Sequence, residues 1–132
     1  MTIVYRINTP LTAQQAAGIF ISSGIRRPVE DLDRIARMLE HADVLITAWD
    51  GDQPVGLARA ITDYAYCCYL SDLAVRKEYQ KQGIGKELVN VLRGHLGEEA
   101  MLLLLSAPSA MDYYPQLGFD KLMNAFLIPR TK

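Results

Sequence analysis

Residues 73–86, Leu-Ala-Val-Arg-Lys-Glu-Tyr-Gln-Lys-Gln-Gly-Ile-Gly-Lys, limit the possible fold more than any other part of the chain. They join a run of strand character at 66–75 to residues 84–96. There Ile84, Leu88, Val91, Leu92 and Leu96 fall on one face of a helix that Gly97 ends. A chain that enters a helix through Gly83 and Gly85 carries no Cβ there, so the unpartnered N–H groups of the first turn stay open. Arg76, Lys77, Lys81 and Lys86 stand against Glu78 alone, a local surplus of three positive charges. Together with the helix dipole they predict an anion site that suits a phosphate or pyrophosphate. Glycines that merely shape a helix start would leave the cations and the strand-loop-helix context unexplained.

Two familiar phosphate loops do not match. A P-loop needs four residues between its glycines and then Gly-Lys-Ser/Thr, whereas one residue separates Gly83 from Gly85 and Glu87 follows Lys86. A dinucleotide fingerprint needs a third glycine or alanine where Leu88 stands.

Strand-like and helix-like segments alternate along the rest of the 132 residues, with no linker, repeat or low-complexity stretch, so an α+β chain of one domain, 1–132, is expected. Strands are predicted at 3–8, 44–49, 55–61 and 66–75, with a hairpin turn at Gly51. Helices are predicted at 11–22, opened by Thr9 and Pro10, at 29–41 and at 84–96. Residues 101–105 are uniformly apolar and read as a central strand buried on both faces. A short helix at 109–117 and a last strand within 119–128 complete the pattern. The apolar face of 124–128 could pair across a homodimer.

The net charge of −1 gives no bulk attraction to nucleic acid or to an acidic membrane. The longest apolar run, 100–105, is too short to span a bilayer, and Arg6 and Asn8 stand where a signal peptide would be apolar. Cys67 and Cys68 are adjacent, can neither staple a distant loop nor make a metal site, and point to opposite faces of a strand. A cytoplasmic chain without a metal is the expectation.

The pattern Gln80-Lys81-Gln82-Gly83-Ile84-Gly85 resembles the acyl-CoA-binding motif, Gln/Arg-x-x-Gly-x-Gly/Ala, of the GNAT superfamily of N-acetyltransferases. Leu73, Ala74 and Val75 precede it at the family's distance, and Tyr114-Pro-Gln-Leu-Gly118-Phe119 is similar to the family's late Tyr-x-x-x-Gly-Phe element. The resemblance implies a three-layer α/β/α fold around a mostly antiparallel, splayed sheet of six or seven strands. Acetyl-CoA is then the co-substrate. Its pyrophosphate would be held by backbone N–H groups from Gln82 to Lys86 with charge from Lys81 and Lys86, and its pantetheine arm would lie along Leu73, Ala74 and Val75. The resemblance also implies a strand bulge there, with the Leu73 N–H facing the thioester carbonyl. Where the family often has a pantetheine-contacting Asn, this chain has Ala107, so either Ser106 takes its place or the contact is weaker.

The implied reaction moves an acetyl group directly, in a ternary complex, to a primary amine of a small molecule or peptide. Tyr114 aligns with the tyrosine that reaches the CoA sulfur and would protonate the leaving thiolate. Asp72, at the reacting end of the strand, is the candidate base, with a salt-bridged strand-end carboxylate or a water relay as the alternatives. Arg26 and Arg27, in the loop between the first two helices, and Tyr64 and Tyr66 are candidate acceptor contacts. Tyr113 reads as a packing residue. The competing reading is a non-catalytic module that binds CoA or a partner protein on the same fold.

Overall fold

The computed structural model describes residues 2–132. Strand β1 (Ile3–Ile7) is followed by helices α1 (Ala13–Ser23) and α2 (Leu32–Glu40). Strands β2 (Val44–Asp50), β3 (Gln53–Thr62) and β4 (Cys67–Val75) come next, then helix α3 (Ile84–Leu96) and strand β5 (Met101–Leu103). The strands form one mixed sheet in the order β1-β2-β3-β4-β5, antiparallel at the first three pairings and parallel between β4 and β5.

The two faces of the sheet are covered differently. Val44, Ile46 and Ala48 of β2 join Leu88, Val89 and Leu92 in a core under α3. Leu45 and Trp49, the alternate residues, join Ile19 and Phe20 of α1 and Ile35 of α2 on the opposite face. Because both faces are covered, β2 is buried along almost its whole length. Gly56 is needed where α3 crosses β3: a Cβ there would press at 3.2 Å on both the Ala74 carbonyl and Leu88.

Local signals set the helix ends. Helix α3 has the bounds its apolar face predicts. Helix α1 starts later than expected, because Thr12 accepts from the Gln15 N–H while Gln15 Oε1 accepts from the Thr12 N–H. Helix α2 likewise starts only after Asp31, whose side chain caps Arg34. Cys67 is exposed and Cys68 buried, as strand alternation requires.

Four expectations are corrected. The sheet has five strands among the described residues, not six or seven, since no strand forms in 119–128. Phe126 and Ile128 are almost fully exposed, so the segment meant to pair across a dimer is not a strand here. The run at 101–105 is not a central strand: β5 ends at Leu103, pairs only with β4, and leaves Met101 and Leu105 exposed. In place of the helix at 109–117 there are two short 3₁₀ turns, Pro108–Ala110 and Tyr114–Leu117. Pro115 offers no N–H to an α-helical ladder, and Gly118 closes the second turn in the left-handed region. Among the described residues no helix is long and apolar enough to cross a membrane, and no cluster of metal-ligating side chains occurs.

Candidate active site

The site grows from the way β4 leaves its neighbours. Its parallel pairing with β5 covers only Cys67–Tyr69, so from Leu70 to Val75 the β5-facing edge of β4 has no strand partner. The sheet is therefore open between β4 and its edge strand β5, and an extended ligand with amide groups could add to that open edge. On the other side the β3/β4 register slips between Arg59 and Ala60, leaving Ser71 as the extra residue of a bulge. The expected bulge exists, then, two residues before Leu73.

Beyond Val75 the chain makes a 3₁₀ turn, Lys77–Tyr79, and enters α3. The Gln80 side chain donates to the Val75 carbonyl at 2.9 Å and Gln82 donates to the Glu78 carbonyl at 3.2 Å, tying the loop to itself. Lys81 and Gly83 both have positive φ, 63° and 83°, and a Cβ on Gly83 would meet open space. Lys81, Gln82, Gly83 and Lys86 are exposed, whereas Ile84 and Gly85 are buried. No side chain caps the start of α3, so its first N–H groups and the lysines beside them form a cradle that fits a pyrophosphate.

Tyr113 packs its phenol against the start of α3. A Cβ on Gly85 would collide with the Tyr113 hydroxyl, so the missing side chain at Gly85 makes room for this phenol at the mouth of the helix. Its neighbour Tyr114 is half-buried and packs edge-to-face on Phe119 with ring centroids 5.7 Å apart. Burial pushes the Tyr114 phenol above its ordinary pKa, the neighbouring Tyr113 adds to the rise, and the Arg27 guanidinium pulls the other way. At neutral pH Tyr114 therefore holds its proton, the state a donor needs. Ser106 donates its hydroxyl to the Ala107 carbonyl at 2.7 Å.

Asp72 is not the free strand-end carboxylate that a base requires. It is fully buried, and its two oxygens accept at 2.5 Å from Arg27 Nε and Arg59 Nε. Arg59 also reaches the Ser71 hydroxyl at 3.0 Å and the Met38 carbonyl at 3.4 Å. Arg27 also donates to the Ser71 carbonyl at 2.8 Å. The α1–α2 loop is thus clamped to the bulge of β4. Arg59 is a residue that the sequence reading does not single out; its signal was a lone arginine within an otherwise apolar strand.

Arg26 is exposed beside Arg27. Tyr64 and Tyr66 lie elsewhere. The Tyr64 hydroxyl is shared with His95 at 3.3 Å and donates to the Asp43 carbonyl at 3.4 Å, and Tyr66 is exposed beyond it. The turn between them is held by Asp63, whose carboxylate accepts three backbone N–H groups, from Ala65, Cys67 and Tyr66, and has its pKa lowered to about 2.

Comparison with known proteins gives one family. A model of the GNAT acetyltransferase family matches residues 14–119. Over 68 residues, half of the chain and 26% of the relative, the sequence is 41% identical to GCN5-related N-acetyltransferase 2, chloroplastic, of Arabidopsis thaliana. The chain spans from 26% to 65% of the length of the curated relatives it matches. Its fold is that of a GNAT family acetyltransferase from Streptococcus pneumoniae, with TM-score 0.79, 24% identity and coverage of 98% of this chain and 99% of that one. It also overlays on aminoglycoside N-acetyltransferase AAC(6')-Iy in complex with CoA, with TM-score 0.73, 15% identity and coverage of 99% and 96%.

Proposed function

Because the chain belongs to the GNAT acetyltransferase family, we propose that it moves an acetyl group from acetyl-CoA directly to a primary amine. The observation that carries this reading is the continuity of the open β4 edge, Leu70–Val75, with the glycine-lined start of α3. Acetyl-CoA supplies the activated acyl group as a thioester. The backbone from Gln82 to Lys86, with Lys81 and Lys86, would hold its pyrophosphate, and Leu73, Ala74 and Val75 would pair with its pantetheine arm.

Tyr114 serves as the proton donor to the departing sulfur, a role its raised pKa supports. An alkyl amine of pKa about 10.4 is mostly protonated at pH 7, so a proton must leave it before attack. Asp72 has no surface open to an incoming amine, and both of its oxygens serve guanidiniums, so its role here is to position Arg27 and Arg59. The amine proton then leaves through water. The acceptor enters beside the α1–α2 loop, where Arg26 and Arg27 stand.

Thiol release from acetyl-CoA in the presence of pooled amines tests the reading. Replacing Tyr114→Phe should lower kcat by about 10² to 10⁴ while acetyl-CoA affinity stays constant, because only the proton donor is lost. Acetyl-CoA binding without thiol release for any amine would favour the non-catalytic module instead. A Tyr114→Phe protein with parental kcat would remove Tyr114 from the mechanism.

A further inference from the structure

The Arg27–Asp72–Arg59 cluster is unbalanced in charge. Its two contacts are the only ion pairs among the described residues, and one carboxylate faces two guanidiniums. One positive charge is left without a partner in a place where burial makes unmatched charge costly.

The two arginines differ in what remains available. Arg59 is buried, with Nε, Nη1 and Nη2 directed at Asp72, the Met38 carbonyl and the Ser71 hydroxyl. The Arg27 side chain is 27% exposed. It donates from Nε to Asp72, from Nη2 to the Ser71 carbonyl and from Nη1 to the Arg26 carbonyl. A guanidinium has five N–H donors. Three are committed here, so one remains on each terminal nitrogen of Arg27. Those two donors belong to a planar fork that the surrounding contacts already hold still, and such a fork matches a carboxylate bidentately with little further ordering.

We propose that the acceptor amine bears a carboxylate, and that this carboxylate docks on the two free terminal N–H groups of Arg27. The proposal rests on the acetyl-transfer reading of the same site and names its acceptor class. A carboxylate carries one negative charge and matches the single surplus positive charge, whereas a phosphate ester carries about −1.5 to −2 and would overmatch it. Arg27 is held against Ser71 and Asp72, within the stretch of β4 that β5 leaves unpaired and along which the acyl arm of CoA would lie. Asp72 is a positioning residue in this scheme: it orients Arg27 and leaves the surplus charge on it.

The test uses the whole chain saturated with CoA, so that binding is read without turnover. Calorimetry compares lysine and amino acids of increasing amine-to-carboxylate separation, from glycine to 6-aminohexanoate, each with its carboxamide, together with phosphoethanolamine. At least one acid should bind about tenfold or more tightly than its amide, as expected for hydrogen bonds to a charged group. Arg27→Gln should erase that preference and Arg27→Lys should keep part of it. The comparison of acid with amide in the parent protein does not depend on any variant folding. Equal binding of acid and amide, preference for phosphoethanolamine, a preference that survives Arg27→Gln, or no acid binding at millimolar concentration would each overturn the proposal. Thiol release from acetyl-CoA is followed in parallel. Acids that bind and release no thiol would overturn the transfer reading and leave the carboxylate site standing; amides acetylated as fast as their acids would do the reverse.

Discussion

The glycine loop of 76–86 and the Arg27–Asp72–Arg59 cluster both gather positive charge at the end of β4, yet they are built in opposite ways. The loop is exposed and contiguous: the donors it offers a ligand are backbone N–H groups, and its lysines stand in water. Besides single ties to Asp50, Pro54 and the end of α1 at Ser22 and Ser23, it bonds to itself across four or five positions and holds no ion pair among the described residues. The cluster is assembled from the α1–α2 loop, β3 and β4, with ion-pair partners 45 and 13 positions apart, around a carboxylate that no solvent reaches. A loop of the first kind can lose one residue and lose mainly its ligand. A cluster of the second kind should lose stability first.

Replacing Asp72→Asn gives the largest expected effect. It leaves two guanidiniums without their counter-charge, and breaking a buried pair by removing one partner costs about 3 to 5 kcal/mol. Urea denaturation measures it, and a loss under about 1 kcal/mol, the range of exposed ion pairs, would make the cluster no more cohesive than surface charge and break the comparison.

Gly85→Ala sharpens the loop side of the comparison at its one buried point. The new methyl meets the Tyr113 hydroxyl, the far end of a partly exposed side chain that can turn aside, so stability should fall by about 1 kcal/mol, the lower end of what overpacking costs. Adding Tyr113→Phe removes the clashing atom and should restore most of that loss. A double variant no more stable than Gly85→Ala alone would show that Tyr113 does not occupy the mouth of α3.

Gly83→Asp should act on the ligand more than on the fold. A side chain in the left-handed region costs about 1 to 2 kcal/mol, while a negative charge at the cradle should weaken CoA by about tenfold or more, equivalent to 1.4 kcal/mol or above. Unchanged CoA affinity in a folded variant would remove the anion site from this loop.

The smallest effect belongs to Asp63, which lies in neither region. Its pKa is lowered from 3.8 to about 2 by backbone hydrogen bonds, so its contribution is present above about pH 4 and is lost as pH falls toward 2. Asp63→Asn should flatten that part of the acid-denaturation curve and change little at neutral pH. An acid limb identical to the parent's would show that the Asp63 turn does not titrate with the fold.

The C-terminal part shows why some of the fold was not legible. The apolar residues of 119–128 satisfy a strand pattern, but a pattern states only which side chains are apolar and does not supply the neighbouring edge on which a strand must register. Likewise the uniform apolar run at 101–105 looks the same whether it lies inside a sheet or at its margin. The Asp72 role was hidden for a related reason. Its neighbours in sequence, Ser71 and Leu73, say nothing about Arg27 or Arg59, which approach it from other segments.

By itself the sequence determined what depends on residues within a few positions of one another. That covers the amphipathic α3 with its bounds, the β2/β3 hairpin at Gly51, and the glycine loop with its surplus of cations, because helix faces, turns and helix-terminal N–H groups are local physics. Only the tertiary structure decided that the sheet stops at five strands among the described residues, that β4 is left open from Leu70 onward, and that Asp72 lies between two arginines. Those outcomes turn on which distant groups meet and on whether water still reaches them. Burial is what converts the carboxylate of Asp72 from a candidate base into the anchor of Arg27.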